Sequence, residues 1–178
     1  MDLASHQRIL LGLVRASYSV TDDDDAYFHK VARSRDLEEA RGNIFLWRVY
    51  VLERTCVLTV SLLRQRRRLG RAVSAFTRRE NISPFREFQP LAFLASLAND
   101  PDHLVASVSQ FELALMKVRA GDAGAYVVAW HTEPQRVLKR LAEDALVQDE
   151  ACTGAFVTRV SGKLPYLFEI EASDASAG

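Results

Sequence analysis

The residues of this chain with chemistry to offer are four histidines, two cysteines and a scatter of acids. The histidines are His6, His29, His103 and His131. No two fall at metal-ligand spacing, and no His-Glu-x-x-His occurs. His131 and Glu133 form the most site-like pair, an imidazole and a carboxylate at the end of a strand-like run, able in principle to pass a proton. No nucleophile or second ligand lies nearby in sequence, and a polar strand end accounts for the pair equally well. Cys56 and Cys152 make neither a disulfide framework nor a zinc site. Cys56 lies in an apolar run and reads as a small buried residue. Asp22-Asp23-Asp24-Asp25 lacks the alternating spacing and glycine of a calcium loop. It reads as a solvated turn feeding acids into the next helix N-terminus, where they suit the dipole. Glu112, inside a strongly periodic helix, is expected at the surface.

The remaining enzyme signatures are missing. Gly121 and Gly124 follow a helix, whereas a phosphate loop follows a strand. There is no Gly-x-Ser-x-Gly elbow. The expectation is a chain with no catalytic residue and no metal ligand of its own. One charged feature stands out: Arg64, Arg66, Arg67, Arg68 and Arg71, followed by Arg78, Arg79 and Arg86. It reads either as a helix C-terminus whose cations complement the dipole or as a patch for phosphate or an acidic protein partner. A helix-turn-helix DNA-binding regulator built on residues 64–86 is the competing functional class. Lys plus Arg number 23 and Asp plus Glu number 23, and that neutral balance argues against nucleic acid as the partner.

The elements that must position these residues follow from periodicity. A length of 178 residues suits one domain, and 48% hydrophobic with 26% charged residues suits a globular one. Apolar positions predict a helix over 6–18 and a long one from Leu37 to about Arg67, opened by Asp36 and apolar nearly all round, hence central to the core. Gly70 supports a helix stop or kink nearby. Ser83-Pro84 predicts a helix start, and Asp100 caps the cleanest helix, where Leu104, Val108, Phe111, Leu115 and Val118 share a face. The period then changes. Tyr126, Val128 and Trp130 alternate as a strand, Thr132 to Gln135 resembles a capping box for a short helix, and two further strands follow over 155–160 and 166–171. The fold class is α+β: a helical domain over 1–120, a three-stranded antiparallel sheet with one helix over 125–171, and a frayed tail over 172–178. The apolar run 44–63 carries Arg48, Glu53 and Arg54, and residues 9–14 are too short for a signal core, so a cytoplasmic protein without a membrane partner is expected.

Several segments together resemble a known family. They are Ile82-Ser83-Pro84-Phe85-Arg86-Glu87-Phe88, Phe93-Leu94, Asp100-Pro101-Asp102-His103-Leu104, Val108-Ser109-Gln110-Phe111-Glu112-Leu113-Ala114-Leu115, Trp130-His131-Thr132-Glu133-Pro134 with Val137-Leu138 and Leu141, and Leu164-Pro165-Tyr166-Leu167-Phe168-Glu169-Ile170. Over residues 44–171 the chain resembles the partner subunits of multinuclear iron enzymes that oxidise cysteines in ribosomally made precursor peptides, the methanobactin-biosynthesis partner proteins among them. The resemblance implies a heterodimer with a barrel-shaped enzyme that holds the iron, and recognition of the precursor's leader peptide. In methanobactin-type systems such a complex uses dioxygen to form oxazolone and thioamide groups in a copper-binding product. An extended leader could add a strand to an open sheet edge. Candidate peptide-contacting residues are Tyr126, Val128, Trp130, Phe156, Thr158 and Arg159, although the aromatics could simply pack the sheet against the helix from Gln135. Candidate enzyme-facing residues are Arg64, Arg67, Arg68, Arg71 and His131.

Overall fold

The structure, a computed structural model, describes residues 2–78, 85–148 and 155–173. The chain is α+β. In order come α1 (Leu3–Arg15), α2 (Ala26–Ala32), α3 (Arg35–Thr55), α4 (Val57–Gln65), α5 (Leu69–Thr77), α6 (Gln89–Leu97), α7 (His103–Arg119), β1 (Ala125–Trp130), α8 (Pro134–Ala142), β2 (Ala155–Ser161) and β3 (Phe168–Ser173). The strands form one antiparallel sheet in the order β1-β2-β3. None of the described helices is long and apolar enough to cross a membrane.

The N-terminal helices form a small core of their own. Asp2 caps α1 by accepting from the Ser5 N–H, and Leu13, Phe28 and Leu37 bury together where α1, α2 and the start of α3 meet. The chain turns after α1 at Ala16, in the left-handed region at φ 55°. Tyr18 packs so close behind that a Cβ on Gly12 would sit 2.6 Å from the Tyr18 Cβ, which is why a glycine stands there. The acidic run does what its position suggested: Asp25 caps α2, while Asp24 accepts from Tyr18 and from Thr21.

The long helix expected over 37–67 is two helices, broken at Cys56 (φ −111°, ψ 55°). The break separates two environments. In α4, Thr59, Val60, Ser61, Leu62 and Leu63 are all buried. In α3, by contrast, Leu46, Trp47 and Tyr50 lie exposed at helical spacing, so it is not the all-round buried helix its composition suggested. Cys56 is fully buried, as expected, and burial pushes its thiol up to about 12. It offers α4 no side-chain cap. The cap arrives from α7: the Glu112 carboxylate accepts from the Leu58 and Thr59 N–H groups at 3.0 and 2.9 Å. Glu112 is therefore buried rather than exposed, because the first turn of α4 requires an acceptor and a negative charge suits that end of a helix.

The stop expected near Gly70 is there: α4 ends at Gln65, Arg67 makes the turn at φ 53°, and Gly70 itself lies in the first turn of α5. Two further boundaries differ from expectation. The cap of α7 is Asp102, which accepts from the Leu104 and Val105 N–H groups, while Asp100 pairs with Arg68. Helix α8 starts at Pro134 behind Glu133, with no side-chain capping bond from Thr132 or Glu133. Ser83-Pro84 lies outside the described residues; α6 begins at Gln89, after turns that leave Phe85 and Phe88 exposed.

One large core joins the helices to the sheet. It gathers Leu52, Leu63, Phe76, Phe93, Phe111 and Val118 with Val128, Trp130 and Val160. Helix α7 is its centre, touching α4 and α6 on one side and β1 and β2 on the other. Helix α8 packs on α4. The loop after it is tied back by Ser61 Oγ donating to Asp144 at 2.9 Å and Gln65 Nε2 donating to the Ala145 carbonyl at 3.0 Å.

Candidate functional site: an open sheet beside a histidine-lined pocket

The register of the sheet sorts the candidate residues. Val128 lies opposite Thr158, and Thr158 opposite Ile170. Side chains alternate faces along a strand, so Tyr126, Val128 and Trp130 share a face with Phe156, Thr158, Val160, Phe168 and Ile170. That face meets α7, where the Phe111 ring sits edge-on to Trp130 at 6.0 Å and to Phe168 at 5.2 Å. Val128, Trp130 and Thr158 are buried there, with Tyr126 and Phe156 half-buried at the rim. The aromatics pack the sheet against a helix, but the helix is α7 rather than α8.

Of the six residues expected to touch a peptide, only Arg159 stands on the outer face. It bonds Glu171 at 3.1 Å and lies opposite Glu169. The rest of that face is small or charged apart from Val157 and Val127, the latter well exposed on the edge strand β1. In the described sheet β1 and β3 each carry one edge without a partner strand. Such an edge presents backbone donors and acceptors in the spacing an extended chain needs. Two contacts stiffen β1: Ser107 Oγ donates to the Ala129 carbonyl at 2.7 Å, and Tyr126 donates to Asp122 at 2.8 Å. The Asp122 carboxyl is held below its usual range by the Gly124 N–H and by Tyr126, and the Tyr126 phenol is raised by the same carboxylate.

Part of the basic run is tied up in ion pairs with the chain's own acids. Arg64 pairs with Glu53. Arg68 grips Asp100 with both terminal nitrogens, at 2.9 and 2.7 Å, and reaches Asp102 at 3.7 Å. That bidentate bond is the main reason the Arg68 guanidinium is held above its usual range. Arg66 lies 3.5 Å from Asp102. Arg67 and Arg71 are exposed and have no carboxylate partner among the described residues. The structure thus divides the five enzyme-facing candidates: Arg68 is a structural counter-ion of Asp100, Arg64 is exposed but paired with Glu53, Arg67 and Arg71 face solvent, and His131 lies elsewhere, at the end of β1.

His131 is not paired there with Glu133. It faces His103, 28 positions earlier, with ring centroids 5.1 Å apart and planes at 63°. The two imidazoles line a pocket of about 340 Å³ with Arg66, Asp102, Ser107 and Thr132. The pairing exists because α7 runs antiparallel to β1, which brings the first residue of the helix beside the residue after the strand. The amphipathic stripe of α7 and the short connection to β1 carried that signal in outline. The pocket offers imidazole, guanidinium and hydroxyl groups beside a carboxylate. Among the described residues no group of three or more His, Cys, Asp or Glu is disposed to hold a metal ion. Comparison with protein-family models, with curated proteins and with solved structures gave no match.

Proposed function

We propose that this chain is a non-catalytic partner subunit. It docks on a barrel-shaped iron enzyme in the cytoplasm and receives the leader of a ribosomally made precursor peptide on an open edge of its sheet. The iron and the dioxygen chemistry belong to the enzyme, which remodels a cysteine of the bound precursor, to oxazolone and thioamide in a methanobactin-type system. The observation that carries the reading is the pair of strand edges without a partner among the described residues, on a sheet backed by α7. A preformed edge lets the peptide gain backbone hydrogen bonds without reordering the protein. Arg67 and Arg71 offer counter-charge to an acidic surface of the enzyme.

Co-expression with a multinuclear iron enzyme of the peptide-modifying class tests the pairing. The expected result is a one-to-one complex with all iron in the other subunit. Adding leader peptide should then slow amide exchange along 125–130 or along 168–173. A chain that purifies alone in the enzyme's presence, or a leader that protects neither edge, would overturn the proposal.

A further inference from the structure

A second concavity lies far from the sheet, between α1 and α3, with Thr77 of α5 and Gln89 of α6 closing it. Its volume is about 420 Å³, within the range of small-molecule sites. Leu11 and Val14 of α1 and Ile44 and Trp47 of α3 give it apolar walls. Two arginines also line it, Arg15 and Arg48, and no Asp or Glu does. Arg48 is only 7% exposed, yet its Nε and Nη1 make no hydrogen bond. Its guanidinium lies 5.8 Å from the centre of the Phe76 ring, which offsets part of its burial. Burial and the like charge of Arg15 both work against the Arg48 cation, which nevertheless stays charged at neutral pH. A buried guanidinium with two idle donors and no counter-ion among the described residues is an uncompensated charge there, and an anion entering the groove would compensate it.

We infer that this groove binds a small amphiphilic carboxylate, the carboxylate on Arg48 and Arg15 and the apolar body along Leu11, Ile44 and Trp47. A peptide fits less well. The α3 wall has its backbone groups bonded within the helix, so an extended chain would strand its own N–H and C=O groups against apolar side chains. A simple amphiphile has only its carboxylate to satisfy. Arginine forks match that group, and helix α6, which starts at Gln89 without a side-chain cap, adds the positive end of its dipole.

Decanoate is the probe, followed by calorimetry and thermal shift on the full chain, with Trp47 fluorescence as an optical readout. Wild type should bind decanoate and melt higher in its presence. Neutral 1-decanol should bind at least about tenfold more weakly, the worth of one charge-assisted hydrogen bond. R48M keeps much of the side-chain volume and should also weaken decanoate at least about tenfold. L11E, at an exposed position, places an acid at the mouth and should abolish binding with the far-ultraviolet spectrum unchanged. Equal affinity for decanoate and decanol, or unchanged binding in R48M and L11E, would overturn the inference. So would no binding up to about 1 mM, the weak end of useful affinity. Glu80 lies between Thr77 and Gln89 in sequence. If only E80Q bound decanoate, the counter-ion would be internal and the inference would fall. Tighter binding of an acetylated, amidated Leu-Phe-Glu-Leu peptide than of decanoate would overturn it in favour of a peptide ligand.

Discussion

Glu112 shows how a single side chain can join two helices. Its carboxylate supplies the hydrogen bonds that Cys56 does not give to the first turn of α4, and it does so from a buried position on α7. Burial, the larger effect, raises its proton affinity, while the Leu58 and Thr59 N–H groups pull the other way. An acid whose affinity rises on folding is most favourable when protonated, below its ordinary value of 4.5. Its contribution to stability declines as pH rises through the native value. The stability advantage of wild type over E112Q, measured by urea unfolding, should therefore shrink between pH 4.5 and neutrality. An advantage that grew over that range would mean that the two N–H bonds outweigh burial. E112A leaves two buried donors unpaired and a small cavity, and should cost about 3 kcal/mol at pH 7.

At the scale of elements, the link between α4 and α5 is held by charge. Arg67 makes the turn in the left-handed region, and Arg68 then locks the turn onto the Asp100 loop ahead of α7. The Asp100 side chain is 8% exposed, so removing Arg68 would leave a carboxylate without its counter-charge. R68A should cost about 2 kcal/mol or more in chemical unfolding. R67A and R71A, on exposed arginines without carboxylate partners, should change stability by less than about 0.5 kcal/mol. If the arginines serve the enzyme subunit, the order reverses in a binding assay: R67A and R71A weaken the complex in a salt-dependent way while the isolated chain stays folded. Similar losses of stability from all three variants would contradict the division of roles drawn from the ion pairs.

For the whole molecule, the decisive feature is that the helical segment and the sheet share one core. Phe111 and Val118 on α7 bury against Trp130, Phe168 and Val160, and α8 lies on α4. Cutting the chain after residue 120 would expose one side of α7 to water, and the sheet alone would keep few apolar neighbours. Residues 1–120 should accordingly lack a cooperative unfolding transition or aggregate, and residues 125–171 should show no stable sheet by circular dichroism. Mixing the two fragments should restore a folded complex. Independent, cooperative melting of each fragment would show two autonomous domains.

Local periodicity and turn chemistry were enough to read the α+β class, the change from helical to strand spacing near Ala125, the face shared by Tyr126, Val128 and Trp130, and the stripe of α7, because each depends on neighbours within a few residues. Cys56 as a buried thiol and Asp25 at a helix start were legible for the same reason. Contacts between distant positions decided the rest. The break at Cys56 needs Glu112, 56 positions later, and α4's buried surroundings. The fate of the arginines depends on Asp100 and Asp102, the second of which also caps α7. The neighbour of His131 is His103 because α7 folds back along β1. Arg48 reads in sequence as one more charge on an apolar helix. Only the packing of α1, α5 and α6 around it makes it a buried cation at the wall of a groove. Such features are set by the free energy of burying charge and apolar surface together, a quantity that no short window of sequence contains.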